Sequence, residues 1–132
     1  MINKNVLALA YMGDSVYEIF IRKYLIEQGI EKVKNLQNKA VTLVSAKAQA
    51  LFLKELMAKN FLTENELSVV YRARNYKSSR HPKNTDIVTY KHSTAFEALV
   101  GYLYLDEQNE RLEEILGEII CIYVEKMSLE NI

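Results

Sequence analysis

From Val6 to Glu27 apolar residues recur at helical spacing, with Leu9, Val16, Phe20 and Tyr24 among them, which predicts one long opening helix or two abutting ones. Gly29, just past the last periodic residue, ends it. Gly13 lies inside the pattern, where glycine costs about 1 kcal/mol relative to alanine; another helix or a substrate backbone is expected to approach closely there. A second helix over 33–44 places Val33, Leu36, Ala40, Val41, Leu43 and Val44 on a buried face and Lys32, Lys34 and Lys39 on the other. Ser45 caps a third, over 46–59, whose stripe is Ala48, Leu51, Phe52 and Leu56. Thr63-Glu64-Asn65-Glu66 is a capping box, so a fourth helix runs from there to about Asn75.

The stretch 76–91 breaks the rhythm. It has no sustained period, holds the only proline, Pro82, and is rich in Ser, Asn, Thr and basic residues, which predicts a long irregular segment of the kind that carries function. Helical spacing resumes at Ser93 or Thr94 and runs through Leu105, and a sixth helix, acidic on its outer face, is expected from Glu107 to about Lys126. No internal repeat is visible. The expected fold is all-α, a helical bundle forming one domain over 1–132.

Composition agrees with that reading. Nearly half the residues (49%) are hydrophobic while Gly (4) and Pro (1) are scarce, which argues against disorder and against a turn-rich β fold. Cys121, the one cysteine, lies in Ile119-Ile120-Cys121-Ile122 and is expected to be a small core residue, in keeping with a reducing cytoplasm. The chain opens on no charged leader and has no apolar run of the roughly 18 residues that a membrane span needs, so a soluble, unprocessed protein is expected. Seventeen basic residues balance seventeen acidic ones, but they are segregated. Between Tyr71 and His92 stand Arg72, Arg74, Lys77, Arg80, Lys83 and Lys91 against Asp86 alone, whereas Asp106 to Ile132 holds eight acids against Arg111 and Lys126. Such polarity steers charged ligands.

Two acids stand in apolar surroundings. Asp14 sits in Leu9-Ala10-Tyr11-Met12-Gly13-Asp14-Ser15-Val16-Tyr17-Glu18, and Glu97 in Phe96-Glu97-Ala98-Leu99-Val100-Gly101. Charge in such places needs a partner. Taken alone, Asp14 is either half of a metal-binding pair with Glu97 or a solvated or backbone-bonded acid. The short residues around Glu97 suggest a tightly packed helix whose acid faces something specific. Glu18, one turn after Asp14 on the same face, serves either through a bound water or as a structural ion pair. His81 and His92 lack the neighbours of an acid–base pair, and Ser or Cys nucleophile motifs are absent.

Residues 9–18 resemble the Gly-Asp signature of the ribonuclease III catalytic domain, and residues 93–105 its second acidic motif, Phe-Glu-Ala-Leu followed by small residues and Tyr-Leu. The resemblance is closest to the mini-ribonuclease III branch, which has no double-stranded RNA-binding domain, and extends through Arg72-x-Arg74-Asn75 and Pro82-Lys83-Asn84-Thr85-Asp86. It implies a ribonuclease III-type helical fold and a two-fold dimer with the signature helix at the contact, to which Met1, Tyr11, Met12, Val16 and Phe20 supply apolar surface. It further implies a Mg²⁺-dependent endoribonuclease for double-stranded RNA, with Asp14 and Glu97 as catalytic and metal-binding acids. Two acids of the larger ribonuclease III site are replaced here by Ala10 and Thr94, a reduced set that the branch shares. With fewer carboxylates, Mg²⁺ keeps more waters and relies on the scissile phosphate.

By the same resemblance the substrate is the duplex stem of the 23S ribosomal RNA precursor. Whether a large-subunit ribosomal protein presents it is left open. The basic stretch is then either a solvated loop or the RNA grip, with Arg72, Arg74, Lys77, Arg80 and Lys83 nominated and Lys91 behind them. The competing reading is a catalytically silent relative that binds structured RNA during ribosome assembly.

Overall fold

The structure, a computed structural model, describes residues 4–77, 83 and 85–130. Among them are six helices and no strand: α1 (Val6–Glu27), α2 (Val33–Val44), α3 (Ala46–Ala58), α4 (Glu64–Arg74), α5 (Ile87–Leu105) and α6 (Asn109–Glu130). The local starts follow the expected chemistry. Ser45 accepts from the Ala48 amide at 3.2 Å, and the Thr63/Glu66 box closes in both directions at 2.9 and 3.2 Å. Gly29 turns the chain out of α1 at φ +91°, where other residues are strained.

Helix α5 is the axis of the bundle, packed against α1, α3, α4 and α6. From Ser93 to Leu103 every residue is buried except Glu97. A helix that is apolar all round belongs in the middle of a fold. Tyr17 ties three helices to this centre: its hydroxyl donates to the Leu43 carbonyl at 2.8 Å, and its ring meets Phe96 edge-on at 4.9 Å. Burial and the neighbouring Glu18 push the hydroxyl's pKa up, which keeps it a neutral donor. The α4–α6 side is held by Arg111, which grips the buried Glu66 with two bonds of 2.8 and 2.9 Å and stacks on Phe61. Burial alone raises the Glu66 pKa, but the Arg111 and Thr63 hydrogen bonds outweigh it and hold the carboxyl below its usual range.

Several expectations are corrected. Helix α5 starts at Ile87, capped by Asp86, whose carboxylate accepts from the Thr89 amide and hydroxyl, both at 2.8 Å. Ser93 and Thr94 are therefore buried inside the helix and do not start it. Residues 87–91, expected to be irregular, are helical because the Asp86 cap outweighs the weak helix propensity of the β-branched first turn Ile87-Val88-Thr89. Helix α6 begins at Asn109, since Glu107 turns the chain at φ +59°. Cys121 is exposed: the inward stripe of α6 is Leu112, Ile115, Leu116, Ile119, Ile122 and Tyr123, and Cys121 falls off it. On α2 only Leu43 is buried, and Val33 and Val41 face outward because the helix lies at the edge, against α1 and α3.

Candidate active site

Gly13 and Gly101 are where α1 crosses α5. A Cβ placed on Gly13 would lie 2.7 Å from the Glu97 carbonyl carbon and 2.8 Å from the Gly101 nitrogen. One placed on Gly101 would lie 2.7 Å from the Leu9 carbonyl carbon and 3.0 Å from the Gly13 nitrogen. No side chain fits between the two backbones, and only paired glycines allow the approach. The close neighbour expected at Gly13 is thus another helix.

The crossing sets the chemistry, because Asp14 follows Gly13 and Glu97 precedes Gly101 by one turn. The two carboxyls, 83 positions apart in the chain, come within reach of a shared hydrogen bond. Asp14 is exposed and Glu97 half-buried. Burial, then the Asp14 hydrogen bond and charge, push the Glu97 pKa up to about 8, while a hydrogen bond from Gln49 works the other way. Two acids crowded in this way each disfavour the other's ionised form. Among the described residues no group of three or more His, Cys, Asp or Glu side chains is placed to hold a metal. Ala10 and Thr94 are both buried.

Gln49 of α3 is the site residue that the sequence did not flag. It is 2% exposed, and its Nε2 donates to the Val44 carbonyl at 3.2 Å and to Glu97 Oε2 at 3.5 Å. Its Oε1 is buried and has no partner among the described residues, a cost of about 1–3 kcal/mol. The one signal was spacing: Gln49, Phe52, Leu53 and Leu56 form the inward stripe of α3, with a polar side chain where an apolar one is expected. Glu18 pairs with Arg22 at 3.7 Å, and its Oε2 is also buried with no partner among the described residues.

The nominated cations divide. Arg72 donates to the Lys4 carbonyl at 2.6 Å, and the Arg74 guanidinium lies 4.8 Å above the Tyr71 ring. Lys77 and Lys83 are exposed. Arg80 lies outside the described residues, as do His81 and Pro82. Lys91 is on the helix and not on a loop; it is half-buried in a 170 Å³ cleft with Leu7, Ala73, Tyr76, Ile87, Tyr90 and Thr94. It stands six residues before Glu97, about 9 Å along the axis. His92 Nδ1 is engaged with the Val88 carbonyl of its own helix at 2.9 Å. The acidic outer face of α6 is partly paired, Glu118 with Lys59 at 3.0 Å and Glu114 with Arg111 at 3.3 Å.

The ribonuclease III domain matches residues 7–108, a span that includes both glycines and both acids. The Mini-ribonuclease 3 of Enterococcus faecalis is 49% identical over 113 residues, covering 86% of each chain. That of Staphylococcus aureus is 43% identical over 122 residues, covering 92% of this chain and 91% of its own. A crystal structure of a Fusobacterium nucleatum protein superposes with a TM-score of 0.80 at 31% identity, covering 89% of this chain and 94% of that one.

Proposed function

The chain belongs to the ribonuclease III domain family and is an endoribonuclease; on that footing we propose that it hydrolyses double-stranded RNA with Mg²⁺ held between Asp14 and Glu97. The observation that carries the assignment is the glycine crossing, which forces two acids together on an accessible face and leaves Glu97 with a raised proton affinity. Carboxylate oxygens are the donor type that Mg²⁺ takes, and a pair of them fits an ion that keeps several waters and takes substrate phosphate oxygens as ligands. When bound, Mg²⁺ supplies the positive charge that lowers the pKa of water and screens the phosphate.

The chain's own groups do the rest. Asp14, exposed at the end of the crossing, presents its carboxylate to the solvent side, and Glu97 closes the inner side. Arg74, stacked on Tyr71, and the exposed Lys77 and Lys83 grip phosphates, with Arg72 and Arg80 completing the basic stretch. Backbone contact of this kind suits A-form duplexes, which are read by shape, phosphate and 2′-hydroxyl. The reading extends to the paired ends of the 23S ribosomal RNA precursor as substrate, in the cytoplasm. Among the described residues no helix is long and apolar enough to cross a membrane.

A two-fold dimer belongs to the same proposal. Leu7, Tyr11, Ile19 and Ile26 are exposed apolar residues along α1, with Tyr11 83% exposed, a surface that suits a second copy of the chain. Asp14 is adjacent to that surface, so a partner placed there brings two sites to one duplex. Met1 lies outside the described residues.

The test is incubation with duplex RNA in Mg²⁺ or in EDTA, beside Asp14→Asn. Cleavage in Mg²⁺ alone, lost in the variant, is the expected result; binding without cleavage would instead select the silent RNA-binding reading. For the grip, Arg74→Ala combined with Lys77→Ala is expected to raise KM for the duplex and to flatten its salt dependence by roughly one to two log units per log unit of salt. An unchanged salt slope in the double variant removes the basic stretch from the RNA interface.

A further inference from the structure

We propose that Gln49 is a positioning residue of the acidic site: anchored on the last carbonyl of α2, its amide holds the Glu97 carboxylate in the orientation that faces Asp14. The proposal rests on the reading of Asp14 and Glu97 as the cation-binding pair.

Three features support it. First, the orientation of the amide is fixed by its surroundings. Val44 O and Glu97 Oε2 are both acceptors, so the NH₂ end faces them at 3.2 and 3.5 Å and Oε1 is turned elsewhere. Second, this orientation leaves Oε1 buried with no partner among the described residues. A residue needed only to fill space in the α3 stripe avoids that cost as Leu or Met, apolar side chains of similar size such as stand at Leu53 and Leu56. Third, Gln49 brings a third helix to the pair. Asp14 comes from α1 and Glu97 from α5, and with Ala10 and Thr94 buried at the two further acid positions, orientation has to come from a side chain of another kind. A neutral donor suits a crowded acidic pair, since it bonds one carboxylate without adding charge. Side chains in this relation to a metal-binding group orient it and tune its affinity.

The same bond to Val44 has a structural use, because it satisfies a carbonyl at the end of α2. The two roles separate in measurement. Mn²⁺ binding to the RNA-free protein, followed by calorimetry or electron paramagnetic resonance, and duplex cleavage are compared for wild type, Gln49→Met and Asp14→Asn, with thermal melts to confirm folding. Positioning requires that Gln49→Met weaken Mn²⁺ binding about 10–100-fold and lower kcat with KM for the duplex unchanged. A variant that melts earlier but binds Mn²⁺ and cleaves as wild type does overturns the proposal. If Gln49→Met does not fold, Gln49→Asn serves, since it keeps a polar amide at this position but draws it back from Glu97 by one methylene. Unchanged Mn²⁺ affinity in Asp14→Asn sinks the underlying pair, and the Gln49 proposal with it. Loss in Asp14→Asn with wild-type affinity in the Gln49 variant sinks the Gln49 proposal alone.

Discussion

Gly13→Ala is expected to destabilise the protein by roughly 3 kcal/mol or more and to abolish cleavage, while Gly117→Ala is expected to stabilise it. Both glycines lie inside helices, where alanine is intrinsically better by about 1 kcal/mol. What separates them is space. A Cβ at Gly117 meets nothing within 4 Å, so the propensity gain stands alone. A Cβ at Gly13 meets the Glu97 carbonyl carbon at 2.7 Å and the Gly101 nitrogen at 2.8 Å. These are backbone atoms of the central helix, with no flexible side chain to swing away, so the clash is relieved only by moving α1 off α5. That movement opens the core around Tyr17, Ile21 and Phe96 and separates Asp14 from Glu97, so stability and activity fall together. Such a loss is a large part of the 5–15 kcal/mol that a domain usually has. Denaturant midpoints for the two variants, measured beside wild type, check this, and a Gly13→Ala protein as stable as its parent would remove the crossing as the organising contact.

The crossing also shows how far the sequence can be read. Gly13 stands out because glycine inside a helix demands a reason, but nothing local names its partner; that Gly101 answers it depends on how two helices far apart in the chain pack. The family motifs nominate Asp14 and Glu97 together, and the crossing at Gly13 and Gly101 is what brings the two positions near one another. The helix boundaries followed capping chemistry where it was recognised, at Ser45 and Thr63. They differ at Asp86, where an equally good cap precedes a β-branched turn of weak helix formers and the polar Lys91-His92-Ser93-Thr94 interrupts the apolar pattern before Ala95. Uniform burial erased the periodicity of α5 beyond that point. On α1 and α3 the apolar stripe was set slightly off its true line. Tyr17, Ile21 and Leu25 are the inward residues of α1, with Val16, Phe20 and Tyr24 half-buried beside them. On α3 the same rotation hid Gln49, since a glutamine is conspicuous only once its stripe is correctly drawn.

The raised pKa of Glu97 makes the metal-free protein lose stability as pH rises from mildly acidic to about 8, in a way that one substitution removes. Below the ordinary glutamate value of 4.5 the carboxyl is protonated both folded and unfolded, and contributes no pH dependence. Between 4.5 and about 8 the unfolded chain ionises while folded Glu97, screened from water and facing Asp14, keeps its proton. The folded state then binds more protons, so stability falls as pH rises through this window and levels off above it. At about 1.4 kcal/mol per pH unit, reduced by the partial water access of Glu97, the total is roughly 2–4 kcal/mol. Thermal melts in EDTA from pH 5 to 9 are expected to show this decline in wild type, and Glu97→Gln, uncharged throughout, is expected to lack it and to melt higher at pH 8. Mg²⁺ acts on the same balance: a cation between the two carboxylates favours the ionised folded form, so its addition raises the wild-type melting temperature more at pH 8 than at pH 6 and leaves Glu97→Gln nearly unmoved. Because the other titrating groups are common to both proteins, the difference between their curves isolates Glu97. Parallel curves, with and without metal, would mean that Asp14 and Glu97 do not share a proton or a cation.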